Sequence, residues 1–332
     1  TYSFYYLEIS IMRKTTLLLA ITTSLSMLPS LASAANSVNS SCVTPKASGY
    51  DQIGCLHDGL AGVIKTIKTK AGPVEKVGYI DKKGKLVIPM VYDVEYTGDG
   101  GEESTFYDFS EGLALVKKND SFGFIDTQGN VVIPLKYWSA KSFTEGLAPV
   151  SISYTENNES KWGAIDKNGK IIIPFEYEDL DNFKGGLATA REYNNEEYGK
   201  AGVINKKNET VIPFAYDEVG ELSEGLLAAS KDSKWGYIDI SNNVVIPFTA
   251  KYHHANAFSN GLAAVFGSQA DSDYTFGYID KKGKLVIPIK HQLPYMTSLD
   301  EANFKNGIAT VYDINESKFC INLKGAKVKC PK

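Results

Sequence analysis

The sequence has few of the residues on which most catalytic and metal sites depend. Among its 332 residues are four Cys, four His and three Trp. No C-x-x-C, H-E-x-x-H, G-x-S-x-G or phosphate-binding Gly-rich motif occurs. The adjacent His253 and His254 would point to opposite faces of a strand and chelate one ion poorly. We therefore expect a protein that is not an enzyme and that binds no metal or cofactor.

Long apolar runs and an excess of one charge are also absent. The 35 Lys and Arg residues nearly balance 39 Asp and Glu residues, which gives a net charge of −4, so a nucleic-acid partner is not expected. No apolar run approaches the roughly 20 residues of a membrane-spanning helix. We therefore expect no membrane span in the mature chain. Apolar residues still make up 43% of the sequence, which is typical of a folded protein.

The N-terminal segment has the parts of a secretory signal. Residues 1–11 contain no Met and are interpreted as an upstream extension that is not native. From Met12, two basic residues precede an apolar centre and an A-x-A sequence that ends at Ala34. This order predicts a signal peptide at residues 12–34. We expect the mature chain in the periplasm or outside the cell.

The four cysteines form two groups that are close in sequence. Cys42 and Cys55 lie near the start of the expected mature chain, and Cys320 and Cys330 lie near its end. An even, clustered set is typical of disulfides in an oxidising compartment. Three pairings are possible, and we favour the two local ones because they would tie down each end. Residues 35–55 are then interpreted as an N-terminal cap.

A block similar to W-G-Y-I-D-K-K-G-K-x-V-I-P occurs six times, with its Pro eleven residues after its Gly. A lead-in similar to F-x-E-G-L-A precedes each block, and residues 319–330 fit a degenerate seventh copy. Repetition at this spacing predicts a tandem-repeat domain at residues 56–331. The residues that we expect to be structural are Gly78 and Pro89, Gly123 and Pro134, Trp162, Gly163 and Pro174, Gly202 and Pro213, Trp235, Gly236 and Pro247, and Gly277 and Pro288.

Each block is expected to form a β-hairpin. Its loop starts at an Asp such as Asp81, which we interpret as the cap of its own turn and not as a metal ligand. The loop ends at Gly84, a position that holds only Gly or Asn in all copies, because these residues tolerate positive φ. The resulting register places Trp162 opposite Pro174, and the Pro is expected to end the strand.

The hairpin and the lead-in strand together predict a short three-stranded meander. The side chain of Ile88 is expected to use the space left by the missing Cβ of Gly78. Both faces of the hairpin are apolar, so neighbouring units must cover them. The predicted fold is therefore all-β, with about seven meander units in an open stack or superhelix. A closed seven-bladed β-propeller is the alternative.

These motifs resemble those of the WG-repeat (KWG-repeat) family of bacterial proteins. The resemblance rests on Trp162-Gly163, Trp235-Gly236, the I-D-K-x-G-K-x-x-I-P core and the lead-in, and it covers residues 56–331. Only two copies keep the Trp, and the last copy keeps neither Trp nor Gly. The resemblance implies an exported or surface β-repeat protein and supplies no catalytic residues.

The longest insertion between blocks, residues 93–108, is a candidate binding site. From Leu86 to Val116 the chain has seven acidic residues and no Lys or Arg. Long loops in compact repeats are often functional. A solvated loop, a calcium site and a docking site for a basic partner remain alternatives. The candidate ligand-binding residues are Asp93, Glu95, Asp99, Glu102, Glu103 and Asp108.

A Tyr follows the Pro in successive units, at Tyr92, Tyr137, Tyr177 and Tyr216. These rings would form a ladder for stacking on sugars or peptides if exposed, and part of the core if buried. Repetition without catalytic residues predicts a non-catalytic scaffold for a protein or a cell-envelope glycan. An envelope hydrolase, with a site between repeats or at residues 93–108, is the alternative.

Overall fold

The chain is known from a computed structural model, which describes residues 42–70, 72–97, 103–153, 160–194, 198–267, 275–294, 298–313, 315 and 317–331. These residues are almost entirely strand and turn, apart from the 3-10 turn Leu299–Ala302. All of them belong to one compact unit, Cys42–Lys332. The predicted extension at residues 1–11 and signal peptide at residues 12–34 lie outside the described residues.

The strands fall into seven repeats. The first two repeats and the insertion between them contain β1 Gln52–Ile53, β2 Leu60–Thr69, β3 Gly72–Asp81, β4 Leu86–Asp93, β5 Glu95–Thr97, β6 Glu103–Thr105, β7 Phe109–Ser110, β8 Leu113–Lys118, β9 Ser121–Asp126 and β10 Val131–Tyr137. The third to fifth contain β11 Ser139–Ala140, β12 Leu147–Ser153, β13 Ser160–Asp166, β14 Ile171–Leu180, β15 Leu187–Glu192, β16 Ala201–Asn205, β17 Thr210–Tyr216, β18 Glu218–Val219, β19 Leu227–Lys231, β20 Lys234–Ile238 and β21 Val244–Thr249. The last two contain β22 His254–Ala255, β23 Leu262–Phe266, β24 Thr275–Asp280, β25 Leu285–Gln292, β26 Ile308–Tyr312, β27 Lys318–Asn322 and β28 Lys327–Val328.

All strand pairs are antiparallel, and they form four main sheets and the separate ribbon β5–β6. The sheets run β1 to β10, β11 to β17, β18 to β21 and β22 to β28. No pairing among the described residues joins the first sheet to the last, so the array is not closed. The predicted all-β tandem array of seven units is confirmed. Several units also have a short strand that the prediction omitted, such as β11, β18 or β22, beside the three-stranded meander.

In three units the third strand also pairs with the next unit: β4 with β8, β14 with β15 and β25 with β26. In β14, Tyr177 pairs with Trp162 of its own unit, while Leu180 pairs with Ala190 of the following unit. One strand thus takes part in two units, and the chain passes between units without a long loop.

The hairpin turns form as predicted. Asp81 Oδ1 accepts backbone hydrogen bonds from Lys83 and Lys85, each at 2.9 Å, and Gly84 has a φ of 79°. The same two bonds recur in the later hairpins at Asp126, Asp166, Asn205, Asp239, Asp280 and Asn322. The repeated Asp is therefore the cap of its own turn.

The register differs from the prediction beyond the first pair, because each hairpin contains bulges. Trp162 lies opposite Tyr177 and not opposite Pro174. The Pro does not end its strand, since β14 continues through Pro174 to Leu180. All six prolines are exposed. At a free edge the missing N–H of Pro costs no ladder hydrogen bond.

The bulge also explains the repeated Gly. A Cβ added to Gly163 would lie 2.5 Å from the backbone oxygen of Ile173, and one added to Gly78 would lie 2.7 Å from that of Ile88. The Gly therefore permits close approach of two backbones. The predicted reason, room for the Ile side chain, was wrong.

The prediction that both faces are covered holds only for the middle strand of each unit. In β9, residues 122–125 are all buried. In β10, Ile133 and Tyr137 are buried, whereas Val131 and Val132 remain exposed. The outer strand is therefore an edge with one buried face.

The lead-in is a tight two-residue turn, which the prediction missed. Glu145 and Gly146 have φ values of 51° and 87°, and Thr144 and Leu147 exchange both backbone hydrogen bonds, at 2.9 and 3.1 Å. Positive φ at both central residues defines a type I′ turn. The dipeptides Asn260-Gly261 and Asn306-Gly307 are typical of this turn and could have indicated it.

A local disulfide cross-links the chain near each end of the array. The bonds Cys42–Cys55 and Cys320–Cys330 are the predicted local pairs. A Cβ added to Gly84 would lie 2.9 Å from the Lys46 oxygen, so the N-terminal segment packs on the first hairpin turn. In the second unit the equivalent Gly129 packs on Ile88 of the preceding unit. Residues 42–55 thus take the place of a preceding repeat.

Candidate functional site

Successive repeats are joined by a recurring contact between the lead-in turn and the next unit. Glu145 accepts hydrogen bonds from the amides of Gly185 and Gly186 at 2.6 and 2.9 Å. Lys206 lies 2.9 Å from the same carboxylate and donates to the Glu145 backbone oxygen at 2.8 Å. The equivalent ion pairs in other units are Glu111–Lys167 and Glu224–Lys281.

These bonds govern the protonation of Glu145. Burial alone would raise its pKa, but the hydrogen bonds from Lys206 and the two glycine amides outweigh burial and lower the pKa below the ordinary value. The recurring Glu is thus engaged in holding repeats together. The interpretation of this Glu as a structural residue is therefore supported, because its carboxylate is already bonded within the protein.

Above these contacts, the segments between units line a groove of about 580 Å³ that crosses the last four repeats. Each repeat contributes the segment between its buried aromatic residue and its lead-in turn. A smaller cavity of about 250 Å³ continues the groove and shares Asp181, Thr189, Glu218 and Val219 with it. The charged side chains that line the main groove are Asp181, Lys184, Glu218, Glu221, Asp300, Glu301 and Lys305.

Aromatic rings line the middle of the groove. Trp235 is 6% exposed and contacts His254 edge to face, with ring centroids 4.7 Å apart. Burial lowers the pKa of His254, against the opposing fields of Glu218 and Asp300. The imidazole is therefore neutral at pH 7 and does not offset the negative charge of Glu218 and Asp300.

A buried amide positions the last wall of the groove. Asn256 donates from Nδ2 to the Leu299 oxygen at 2.8 Å and to Asn303 Oδ1 at 3.0 Å. These bonds attach the 3-10 turn that carries Asp300 to the preceding repeat. His254 Nε2 lies 3.1 Å from Asn256 Oδ1. The position of Asp300 relative to His254 is thus fixed by a hydrogen-bond network.

The predicted acidic insertion does not form a single site. Asp93 pairs with Lys76, Glu95 lies 3.1 Å from Lys117, and Asp108 lies 3.3 Å from His57. Asp99 and Glu102 lie outside the described residues, and Glu103 is described only as backbone in β6. The three described carboxylates thus contact three different residues, two lysines and one histidine, and do not converge on one point.

A cavity of about 650 Å³ lies beside this insertion. It is lined by Asp93, Lys76 and Lys117 among others, and the Lys76–Asp93 pair closes within its own wall. Among the described residues, no group of three or more His, Cys, Asp or Glu side chains is arranged to hold a metal ion. The insertion therefore offers fewer free groups than the groove.

The Tyr ladder is buried. Tyr92, Tyr137, Tyr177 and Tyr216 are each at most 7% exposed. Tyr177 donates to Asn208 Oδ1 at 2.7 Å and Tyr216 donates to Asn242 Oδ1 at 2.6 Å, in both cases to the hairpin turn of the next unit. These rings stabilise the contact between repeats. They are not an exposed stacking surface.

Sequence reasoning missed the groove. It treated Trp235 only as a repeat residue and did not single out Glu218 or Asp300. Both carboxylates lie in the short segment that runs from the buried ring after the Pro of one unit to the lead-in turn of the next. They occupy equivalent places in that segment. Alignment of those segments with one another would have shown a run of acids in the fourth, fifth and seventh units.

Comparison with known proteins bears on the fold. The family profile described as "WG containing repeat" matches residues 78–94, 103–121, 122–154, 162–195, 202–235, 235–266 and 276–290, more than half of the chain. No curated protein is significantly similar in sequence. The described residues contain no helix that is long and apolar enough to cross a membrane.

Several solved structures are similar in fold at low sequence identity. A eukaryotic initiation factor is 12% identical with a TM-score of 0.55, over 85% of this chain and 77% of that one. BamB from Moraxella catarrhalis is 10% identical, with a TM-score of 0.43 over 85% and 96%. An acylaminoacyl peptidase from Pyrococcus horikoshii is 9% identical, with a TM-score of 0.39 over 88% of this chain and 52% of that one. The initiation-factor likeness shows a propeller-like arrangement of units, as in the alternative fold, although the strand pairing of the described residues leaves the array unclosed.

Proposed function

Since the chain belongs to the WG-repeat family, we propose that it is an exported, non-catalytic scaffold that binds a protein or a cell-envelope glycan through its groove. The groove is built from four successive repeats and holds carboxylates that the contacts between repeats do not use. This is the observation that carries the proposal. A volume of about 580 Å³ lies within the roughly 300–1,000 Å³ of ordinary ligand sites.

Two features support export. The order of basic residues, apolar centre and A-x-A sequence at residues 12–34 fits a signal peptide. The two disulfides are consistent with a periplasmic or extracellular protein, because such bonds persist in oxidising compartments.

The non-catalytic part of the proposal rests on how the acids are used. Glu145 and its equivalents hold repeats together, and Asp81 and its equivalents cap turns. The Asp108–His57 pair is the nearest to an acid–base pair, since burial raises the pKa of Asp108 against the opposing charge of His57. A hydrolase that uses this pair is the competing function, and replacing His57 by Gln would abolish its activity.

A steric block of the groove tests the proposal without assuming the chemistry of the partner. The full chain is used to capture partners from envelope extract, and the fractions are analysed for both protein and glycan. Glu221→Trp places a large ring in the groove at an exposed position. Glu209→Trp makes the same change in a hairpin turn outside it.

We expect Glu221→Trp to remove the captured partner and Glu209→Trp to retain it. Circular dichroism and thermal melting establish that both variants fold like the parent. A partner retained equally by both variants contradicts the proposal, because its binding would not involve the groove.

A further inference from the structure

The groove has an excess of negative charge. Its lining includes five carboxylates, from Asp181, Glu218, Glu221, Asp300 and Glu301, and only two amines, from Lys184 and Lys305. Carboxylates crowded on one surface repel one another unless a cation lies between them. The lining therefore favours a positively charged occupant.

Some of these acids already have partners. Asp181 accepts from Lys141 at 2.7 Å, and Glu221 accepts from Lys184 at 2.6 Å. Glu301 lies 3.8 Å from Lys305. Glu218 and Asp300 are different, because neither forms an ion pair with any residue that the structure describes.

Glu218 and Asp300 line the groove on either side of His254 in sequence order. They belong to the fifth and seventh repeats, and both act electrostatically on His254 of the sixth repeat. His254 in turn contacts Trp235. These two carboxylates and two rings therefore line the same groove.

Trp235 supplies a second and independent feature. The side chain is 94% buried, being 6% exposed, and it lines the groove. Its indole N–H donates to no other residue in the part of the chain that the structure describes. Because the ring lines the groove, a ligand carbonyl oxygen placed there could accept a hydrogen bond from this N–H.

The aromatic rings do not favour a sugar. Phe258 and Phe304 are each 1% exposed, and Trp235 is 6% exposed. Sugar recognition by stacking needs an open ring face, and these rings present almost none. A peptide needs only a carbonyl for the indole N–H and a cation for the carboxylates.

This inference rests on the proposed function of the groove as a binding site. We propose that its occupant is an extended peptide segment containing Lys or Arg. One cationic side chain lies between Glu218 and Asp300, beside Trp235. The smaller cavity that continues the groove past Asp181 takes the adjoining residues of the peptide. A polypeptide partner with a basic, extended segment is the class that this chemistry recognises.

The test uses three probes: a blocked, fluorescein-labelled decapeptide of alternating Lys and Ser, its counterpart with Glu in place of Lys, and a neutral chito-oligosaccharide. Binding of the full chain is followed by fluorescence anisotropy, and by competition for the sugar. We expect only the Lys peptide to bind, and its affinity to fall as salt rises.

Matched double variants locate the cation. Glu218→Gln with Asp300→Asn removes the two unpaired carboxylates and should weaken binding of the Lys peptide about tenfold. Asp120→Asn with Asp232→Asn removes the same charge from two turns outside the groove, at positive φ that Asn tolerates. The second pair should change the affinity less than about twofold.

The outcomes separate this inference from the proposed function. Equal loss in both double variants, or binding of the neutral sugar in place of the Lys peptide, overturns the cationic-peptide inference. If Glu221→Trp still abolishes capture of the envelope partner in that case, the groove function stands. If Glu221→Trp leaves all binding intact, the groove function itself is wrong.

Discussion

Lys206 contacts both the side chain and the backbone of Glu145. Its Nζ lies 2.9 Å from the Glu145 carboxylate and donates a hydrogen bond to the Glu145 backbone oxygen at 2.8 Å. The two residues are 61 positions apart and belong to successive repeats. Where the lead-in residue is Gly185, the corresponding hairpin residue is Ile240. The Lys is thus found where there is a Glu to receive it.

The first prediction concerns this contact. Glu145→Gly keeps the positive φ of the turn but removes the bonds to Gly185, Gly186 and Lys206, so we expect it to lower the free energy of unfolding by about 1–2 kcal/mol. Asn306→Gly makes an equivalent change in the seventh unit, where the Asn306 side chain bonds to no other unit among the described residues, and should cost less than about 0.5 kcal/mol. Urea denaturation measures both values. Equal effects would mean that the lead-in residue acts only within its own turn.

A second prediction concerns the close approach at the repeated Gly. Gly236→Ala would place a Cβ 2.7 Å from the Ile246 oxygen, so we expect a loss of about 2 kcal/mol or more. Gly220→Ala is the control, because its nearest neighbour would be 3.6 Å away and its cost should be within about 0.5 kcal/mol. Thermal melting compares the two. Similar melting temperatures would show that the bulge can relax.

The third prediction concerns pH. His291 occupies the place of the buried Tyr in the sixth repeat, and its Nε2 has no hydrogen-bond partner in the described part of the chain. Burial, together with Lys290, lowers its pKa from 6.5 to about 4. The folded state therefore binds its proton less readily than the unfolded state does. Its contribution to stability is complete above about pH 6.5 and is lost as the pH falls towards 4.

Replacing His291 by Tyr, the residue found at this position in earlier repeats, should remove that part of the pH dependence. We expect the parent to lose on the order of 2 kcal/mol between pH 6.5 and 4 beyond the loss in the variant. Urea denaturation at a series of pH values measures this difference. His253→Tyr is a control, because that ring is exposed. Parallel pH profiles for the parent and His291→Tyr would contradict the assignment.

The fold class could be predicted because its marks are local and repeated. The turn at Asp81 to Gly84 requires a capping acid and a residue at positive φ, and both recur at fixed spacing. The local disulfides follow from the position of Cys42 beside Cys55 and of Cys320 beside Cys330. Seven copies of one sequence pattern are therefore sufficient to predict an all-β array.

The register and the groove could not be predicted in the same way. Bulges shift Trp162 from Pro174 to Tyr177, and a bulge leaves no mark in the alternation of apolar residues. The groove brings together Glu218 and Asp300, which lie 82 positions apart in sequence. Its composition depends on how successive units pack, which the pattern of one unit does not contain.

The central claim is that each repeat buries apolar surface of the repeats next to it in the chain, and that the repeats are not closed into a ring. Two deletions test it. Removing residues 183–221 excises one whole repeat in phase, from one lead-in turn to the next. Removing residues 162–174 excises only the hairpin of one repeat and leaves its neighbours without their cover.

Circular dichroism with thermal melting of these two deletants is the most direct measurement. We predict that the chain lacking residues 183–221 keeps a strand-rich spectrum and a cooperative transition, because each unit contacts only its neighbours. We predict that the chain lacking residues 162–174 loses that transition. Melting of the latter at the parental temperature, with an unaltered spectrum, would contradict the account.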